Sequence, residues 1–309
     1  MAVTAGGIGD SRRVEGLGLA DTARHAWAAL LLGWRVESNW ADPVLFAIYT
    51  VIRPVSSMLL LTMMVAIVGG AADAASRTFV ILGSALWAML VSGLAGPAWS
   101  VLEDRERYRT LKYLYTSAAT LLVLLVGRGG ARLLIGAMGS LVAILVAVAL
   151  LGLRIDPAAV DWPLLLAAML LGLPPVLALG IGLAAVCLQT RQESWNYPDA
   201  FSGAMFLVSG VVFPLAILPR PLEALGLLNP VTWWVAGVRR AIIPDGPSAI
   251  GGAGSLWTAV TGTDAPGPAV ILAALFLTGA VTTLLATALF RGSERRARDR
   301  GLLDRTTGS

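Results

Sequence analysis

Apolar residues in this chain fall into blocks about twenty long, parted by short polar or glycine- and proline-rich breaks. A helix needs roughly 20 apolar residues to cross a hydrocarbon layer. The pattern therefore predicts six spans, at 44–68, 79–102, 133–153, 163–188, 200–218 and 269–290. Ahead of the first, Trp27, Leu30, Leu31 and Trp34 recur at helical spacing with Arg24, His25, Arg35 and Glu37 among them. That is the signature of an amphipathic helix in the interface plane with its indoles at headgroup depth. Asp42-Pro43 ends it. Residues 1–20 are polar and Gly-rich, so a disordered tail without a signal peptide is expected there.

Several breaks carry information. Arg53-Pro54 interrupts the first span. Arg53 either snorkels to the nearer surface or faces a subunit interface or substrate route. Residues 118–126 are apolar but too short to cross, and Gly127-Arg128-Gly129-Gly130 reads as a hinge before the third span. Pro174-Pro175 inside the fourth span predicts a kink. The long connection 219–268 holds two segments, 222–228 and 231–243, that are amphipathic or apolar yet too short to span. They are expected as short outer re-entrant helices. Trp233 and Trp234 on the second would be interface anchors or parts of an outer gate.

Charge alters this picture at one place. Between residues 103 and 112 stand Glu103, Asp104, Arg105, Glu106, Arg107, Arg109 and Lys112. Each charge at the centre of a bilayer costs about 2.5–3.5 kcal/mol, so this island is expected in water or at the headgroups, as a contact surface. Seventeen of the 23 lysines and arginines lie on segments of one side if both termini are cytoplasmic, five lie opposite, and Arg53 completes the set. The positive-inside bias puts the termini and the island in the cytoplasm. The arginines of the tail 291–309 fit binding to anionic lipid.

With 57% apolar and 14% charged residues, against about 25% charged in soluble domains, one polytopic membrane domain is expected. The basic balance fits membrane lipids and topology, with no nucleic-acid partner. Cys187 is the single cysteine, so no intrachain disulfide can form. Lys112, the single lysine, precedes Tyr113, which excludes a P-loop. His25 is the single histidine, and no metal-ligand spacing or catalytic triad can be assembled, so neither catalytic nor metal-ligating residues are assigned. The spans hold almost no carboxylates, which argues against a proton-coupled carrier or a carboxylate-ringed channel. A protein with neither catalytic nor relay groups moves under the control of a partner.

The run SGVVFPLAILPRPLEALGLLNPVTWWVAGVRRAI, residues 209–242, resembles the permease subunits of type-2 ABC exporters. Ser209, Gly210, Pro214, Leu218, Pro219, Asn229, Pro230, Thr232, Trp233 and Arg239 follow that family's order, and Trp234 stands beside them. The island is similar to its E-R-x-x-G-T-L run through Glu106, Arg107, Thr110 and Leu111, with Arg109 where glycine is usual and Ser117 where proline is usual. The N-terminal helix with Trp27 and Trp34 is similar to the family's elbow helix. The resemblance implies an all-α integral membrane fold of six transmembrane helices, with the elbow, a cytoplasmic coupling helix over 103–117 and the outer re-entrant helices. Glu103, Glu106, Arg107, Thr110, Leu111 and Tyr113 would couple to the ATPase. It implies partner ABC ATPase subunits that bind MgATP, this chain having no cofactor of its own, and a second copy or homologous permease. The location implied is a bacterial plasma membrane. The cargo would be a drug, antibiotic or lipid, with lipid-linked polysaccharide or teichoic acid as the alternative. A lipid-modifying enzyme and a non-transporting scaffold are the readings of other classes.

Overall fold

The computed structural model describes residues 19–38, 43–68, 74–111, 114, 120–190 and 194–299. Every regular element among them is helical. They are α1 (Leu19–Ser38), α2 (Pro43–Val68), α3 (Ala74–Leu102), α4 (Leu121–Leu150), α5 (Trp162–Gln189), α6 (Tyr197–Val208), α7 (Arg220–Leu228), α8 (Pro230–Ile242), α9 (Leu256–Thr261) and α10 (Pro268–Asp299). Five are long and apolar enough to cross a membrane: α2, α3, α4, α5 and α10. The expected tail 1–20 lies almost wholly outside the described residues.

The third expected span is longer than the sequence pattern indicated. α4 starts at Leu121, where the Thr120 hydroxyl accepts from Val123 N at 3.4 Å, and runs unbroken through residues 127–130. The glycines there are notches, not a hinge. A Cβ on Gly127 would stand 2.5 Å from Ala29 Cβ and 2.6 Å from the Ala26 carbonyl, so α1 crosses α4 backbone to backbone. Gly33 of α1 answers it, with space for nothing larger against Arg128 and Ala131. Lipid tails are as apolar as leucine, so contact between helices in a membrane rests on such close packing of small residues.

Prolines fit the same logic. Pro54 of α2 packs at Gly139 of α4, Pro97 of α3 at Gly129 and Gly180, and Pro175 of α5 at Gly279 of α10. α2, α3 and α5 continue across their prolines. α3 is the central helix, with Leu86, Leu90 and Leu94 in the largest core cluster beside Val176 of α5, Trp234 of α8 and Ile271 of α10. α2 lies outermost and exposes Leu45, Ile48, Ile52, Leu60, Met63 and Ile67.

The fifth expected span, 200–218, is not one crossing helix. α6 has 12 residues, about 18 Å at 1.5 Å per residue against a hydrocarbon core near 30 Å. It ends at Ser209, and Gly210 then turns the chain in the left-handed region, at φ 64°. A 3-10 turn at Leu215–Ile217, α7 and α8 follow. Periodicity alone could not separate a continuous helix from this broken run of equally apolar pieces. The sixth span is longer than expected too, since α10 carries the helix into the arginine-rich segment as far as Asp299.

Candidate functional site

At its C-terminal end α3 widens into a π-helical turn over Glu103–Arg107, closed by Tyr108 N donating to the Glu103 carbonyl at 2.8 Å. Such turns are uncommon and concentrate at functional sites. The backbone then enters the left-handed region at Arg109, whose φ is 53°. Thr110 N donates to the Asp104 carbonyl at 2.8 Å, and a helical turn restarts as Leu114 N donates to Thr110 O at 3.1 Å. As far as it is described, the expected coupling helix over 103–117 is a π turn, a left-handed bend and a further helical turn at Leu111 and Leu114. Lys112, Tyr113 and Ser117 lie outside the described residues.

The island is not wholly solvated, as its charge density suggested. Asp104 and Arg105 are each 5% exposed, and so is Arg128 of α4. Arg128 pairs with Asp104, which also accepts from the Thr110 hydroxyl at 3.2 Å. Arg132, one turn further along α4, binds Glu103 at 2.6 Å and Glu37 of α1 at 2.5 Å. Its stem lies across Gly96 of α3. Arg105 turns the other way: Nη1 donates to the carbonyls of Cys187 at 2.8 Å and Thr190 at 3.1 Å, Nη2 to Ser194 Oγ at 2.9 Å, and Nε to Glu106 at 2.7 Å. It thus caps the C-terminus of α5, where carbonyls lack helical partners and a cation is favoured. Nearby, Gln189 donates to Ser293 of α10 at 2.8 Å, and Ser293 to the Ala185 carbonyl at 2.5 Å. One charged turn is thereby bonded to α4 and α5, through Arg132 to α1, and through α5 to α10.

Of the sequence-predicted coupling residues, Glu103, Glu106 and Thr110 belong to this junction, and Leu111 is buried against Leu102, Leu121 and Phe290. Arg107 faces out, with Tyr108 and Arg109 exposed beside it and the Arg107 guanidinium 5.6 Å from the Tyr108 ring. Sequence reasoning missed Glu37, Asp104, Arg105, Arg128 and Arg132 as a set. The signal was present: Arg128 and Arg132 are four apart, hence on one face once residues 118–132 are taken as helix. Trp27 of α1 is exposed and Trp34 half-buried.

A second knot closes the other end of α3, built from the motif between Ser209 and Arg239. Asn229 begins α8, accepting from Val231 N at 3.1 Å, and donates to Ser209 Oγ at 3.1 Å. Ser209 donates to the Met205 carbonyl, and Thr232 to the Val208 carbonyl at 3.3 Å. Arg239 is buried; it donates to the carbonyls of Gly210 at 2.7 Å, Val211, and Phe79 of α3 at 3.1 Å. Its guanidinium also lies 3.6 Å from the Phe79 ring centre. Pro214 and Pro219 flank the 3-10 turn, and Pro230 opens α8. Trp233 and Trp234 are buried, at 4% and 0% exposure. Within the chain they are core residues, which does not fit the interface anchors that are one of the two sequence readings, the other being an outer gate. Trp233 donates to the Leu227 carbonyl at 2.7 Å, while Trp234 occupies the space left by Gly172 of α5.

Both sites join backbone ends through paired or carbonyl-bound cations. Among the described residues no three His, Cys, Asp or Glu side chains converge as metal ligands would. The arrangement is suited to holding helices in fixed relation and offering an exposed tip. A family model described as ABC-2 type transporter matches residues 29–243. No curated protein matches the chain.

Proposed function

The chain belongs to the ABC-2 type transporter family, and from that premise we propose that it is the permease of an exporter, energised by ATPase subunits on separate chains. The observation that carries this is the junction at the end of α3. The exposed tip Arg107-Tyr108-Arg109 stands on a turn whose buried Asp104 and Arg105 are bonded to α4 and the end of α5, and Arg132 of α4 links Glu103 of the turn to Glu37 of α1. A push on that tip reaches several helices at once, as coupling to ATP-driven closure requires. The tip is the docking point for the ATPase, which binds MgATP. It faces the cytoplasm of a bacterial cell, as do both termini.

Two permeases, this chain with a second copy or a homologous subunit, enclose the route. The exposed apolar side of α2 fits lipid contact or such a neighbour. The cargo is an amphipathic or lipid-like molecule that leaves outward.

The test is affinity purification of the tagged full chain in mild detergent, followed by identification of retained proteins. A P-loop ATPase should be retained, and lost when Arg107, Tyr108 and Arg109 are together replaced by Ala. Vesicles holding the complex should show vanadate-sensitive outward flux of an amphiphile. Recovery of the chain alone after crosslinking, in several detergents, would overturn the reading.

A further inference from the structure

Arg53 is a charged side chain within the first span that takes no part in either knot. Arg53 sits on α2, nine residues after Val44, and is exposed. Among the described residues no group accepts from its guanidinium; only its carbonyl is engaged, by the Ser57 hydroxyl at 2.9 Å. The next residue, Pro54, is seated in the notch at Gly139 of α4, which places this stretch of α2 against α4. There Arg53 lines a cavity of about 420 Å³ between α2, α3 and α4. Phe46, Trp87 and Ile135 supply apolar wall, and Ser57 and Ser84 supply hydroxyls. Trp87 is held edge-on to Phe206 of α6, with ring centres 4.9 Å apart.

A second cavity of about 280 Å³ shares Arg53, Glu37, Val91, Ser92 and Ile135 with the first and reaches Arg132 and Asp199. The two form one groove leading toward the charge junction. Glu37, the other charged residue of the larger cavity, is committed to Arg132. The larger cavity therefore presents one uncommitted charge, and it is positive.

We propose that this groove binds the phosphate headgroup of an anionic phospholipid-like amphiphile, with Arg53 on the phosphate and the apolar wall on the chain. An uncompensated arginine within a span is costly, and a phosphate accepts the guanidinium fork bidentately. The volume lies within the range of small-molecule sites, which combine apolar walls with few polar groups. The residues named in its lining lie on helices of one chain. This inference deepens the export reading, on which it rests for the claim that the bound amphiphile is cargo.

The test uses the purified full chain in neutral maltoside detergent without ATPase. Binding of a fluorescent lysophosphatidate is followed by anisotropy, with unlabelled lysophosphatidate, monoacylglycerol and inorganic phosphate as competitors. Saturable binding is expected, displaced by lysophosphatidate and by neither of the others at equal concentration. Arg53→Gln should weaken it at least tenfold, and Arg53→Lys, which keeps the charge but loses the bidentate fork, should weaken it by less than Arg53→Gln does. Val91→Trp fills the groove where the two cavities meet while keeping Arg53, and should also weaken binding. Unchanged affinity in Arg53→Gln would overturn the proposal. So would displacement by inorganic phosphate as effective as by the amphiphile, or a change in particle mass in Arg53→Gln with binding intact, which would assign Arg53 to a subunit contact. ATPase retention, measured separately, reports on the export reading, so either can fail alone.

Discussion

Replacing Arg128 by Met tests the charge junction most directly. Arg128 and Asp104 have side-chain exposures of 6% and 7%, so neither can turn to water when the other is lost. Met keeps much of the stem volume and removes the cation. The Thr110 hydroxyl remains on Asp104, but one neutral hydrogen bond contributes only about 0.5–1.5 kcal/mol. Breaking a buried pair from one side costs about 3–5 kcal/mol, whereas replacing both partners by apolar groups of similar volume is often neutral. Arg128→Met should therefore lower stability by about 3 kcal/mol, roughly a hundredfold in the unfolding constant at 1.4 kcal/mol per decade. The double variant Asp104→Leu with Arg128→Met should recover most of that. The assay is equilibrium unfolding in mixed micelles of increasing SDS fraction, followed by tryptophan fluorescence, for the wild type, both single variants and the double. Strong non-additivity is expected. A loss under 1 kcal/mol in Arg128→Met, or additive single effects, would refute the view that the two charges form one buried unit.

The same unfolding assay checks three further expectations. Arg239→Lys keeps the charge but cannot reach the carbonyls of Gly210, Val211 and Phe79 together; each unsatisfied buried acceptor costs about 1–3 kcal/mol, so a loss of at least 2 kcal/mol is expected. Arg109→Gly should stabilise by about 0.5–1 kcal/mol, because φ of 53° costs an L-residue about 1–2 kcal/mol and glycine gives part back as backbone entropy. Arg109→Ala should bring no comparable gain. Gly172→Ala puts a methyl into the Trp234 indole and should cost about 1–3 kcal/mol as overpacking, with a shifted tryptophan emission as its marker.

Long apolar blocks made α2, α3, α5 and α10 legible, because about twenty uncharged residues in a row have few other uses. What misled was punctuation. Residues 127–130 look like a turn when glycine and arginine are weighed locally, yet the glycines admit α1 and Arg128 neutralises Asp104. Both facts depend on residues about a hundred and about two dozen positions away. Residues 200–218 failed in the opposite sense, since a bend at Gly210 between two apolar pieces leaves hydropathy unchanged. Arg109 was visible as an arginine where similar sequences carry glycine, and its positive φ now gives the physical reason for glycine there. The motif from Ser209 to Arg239 was legible as a list. That Arg239 reaches back to Phe79 of α3 was not, because a buried arginine bonded to carbonyls has no local pattern.

α3 can be considered as a mechanical part. It is fastened near Phe79 by Arg239 and at Glu103–Arg107 by the ion pairs. Those points are about 36 Å apart along the axis at 1.5 Å per residue. Pro97 would ordinarily be the weak point of such a rod, since it removes a helical hydrogen bond. Here it is splinted, with Gly129 on one flank and Gly180 on the other. A rod pinned at both ends and braced at its flaw tilts as a whole and does not fold. A displacement at the Arg107 tip therefore arrives at the Ser209–Arg239 knot as a swing of the far end, with little of it absorbed in between.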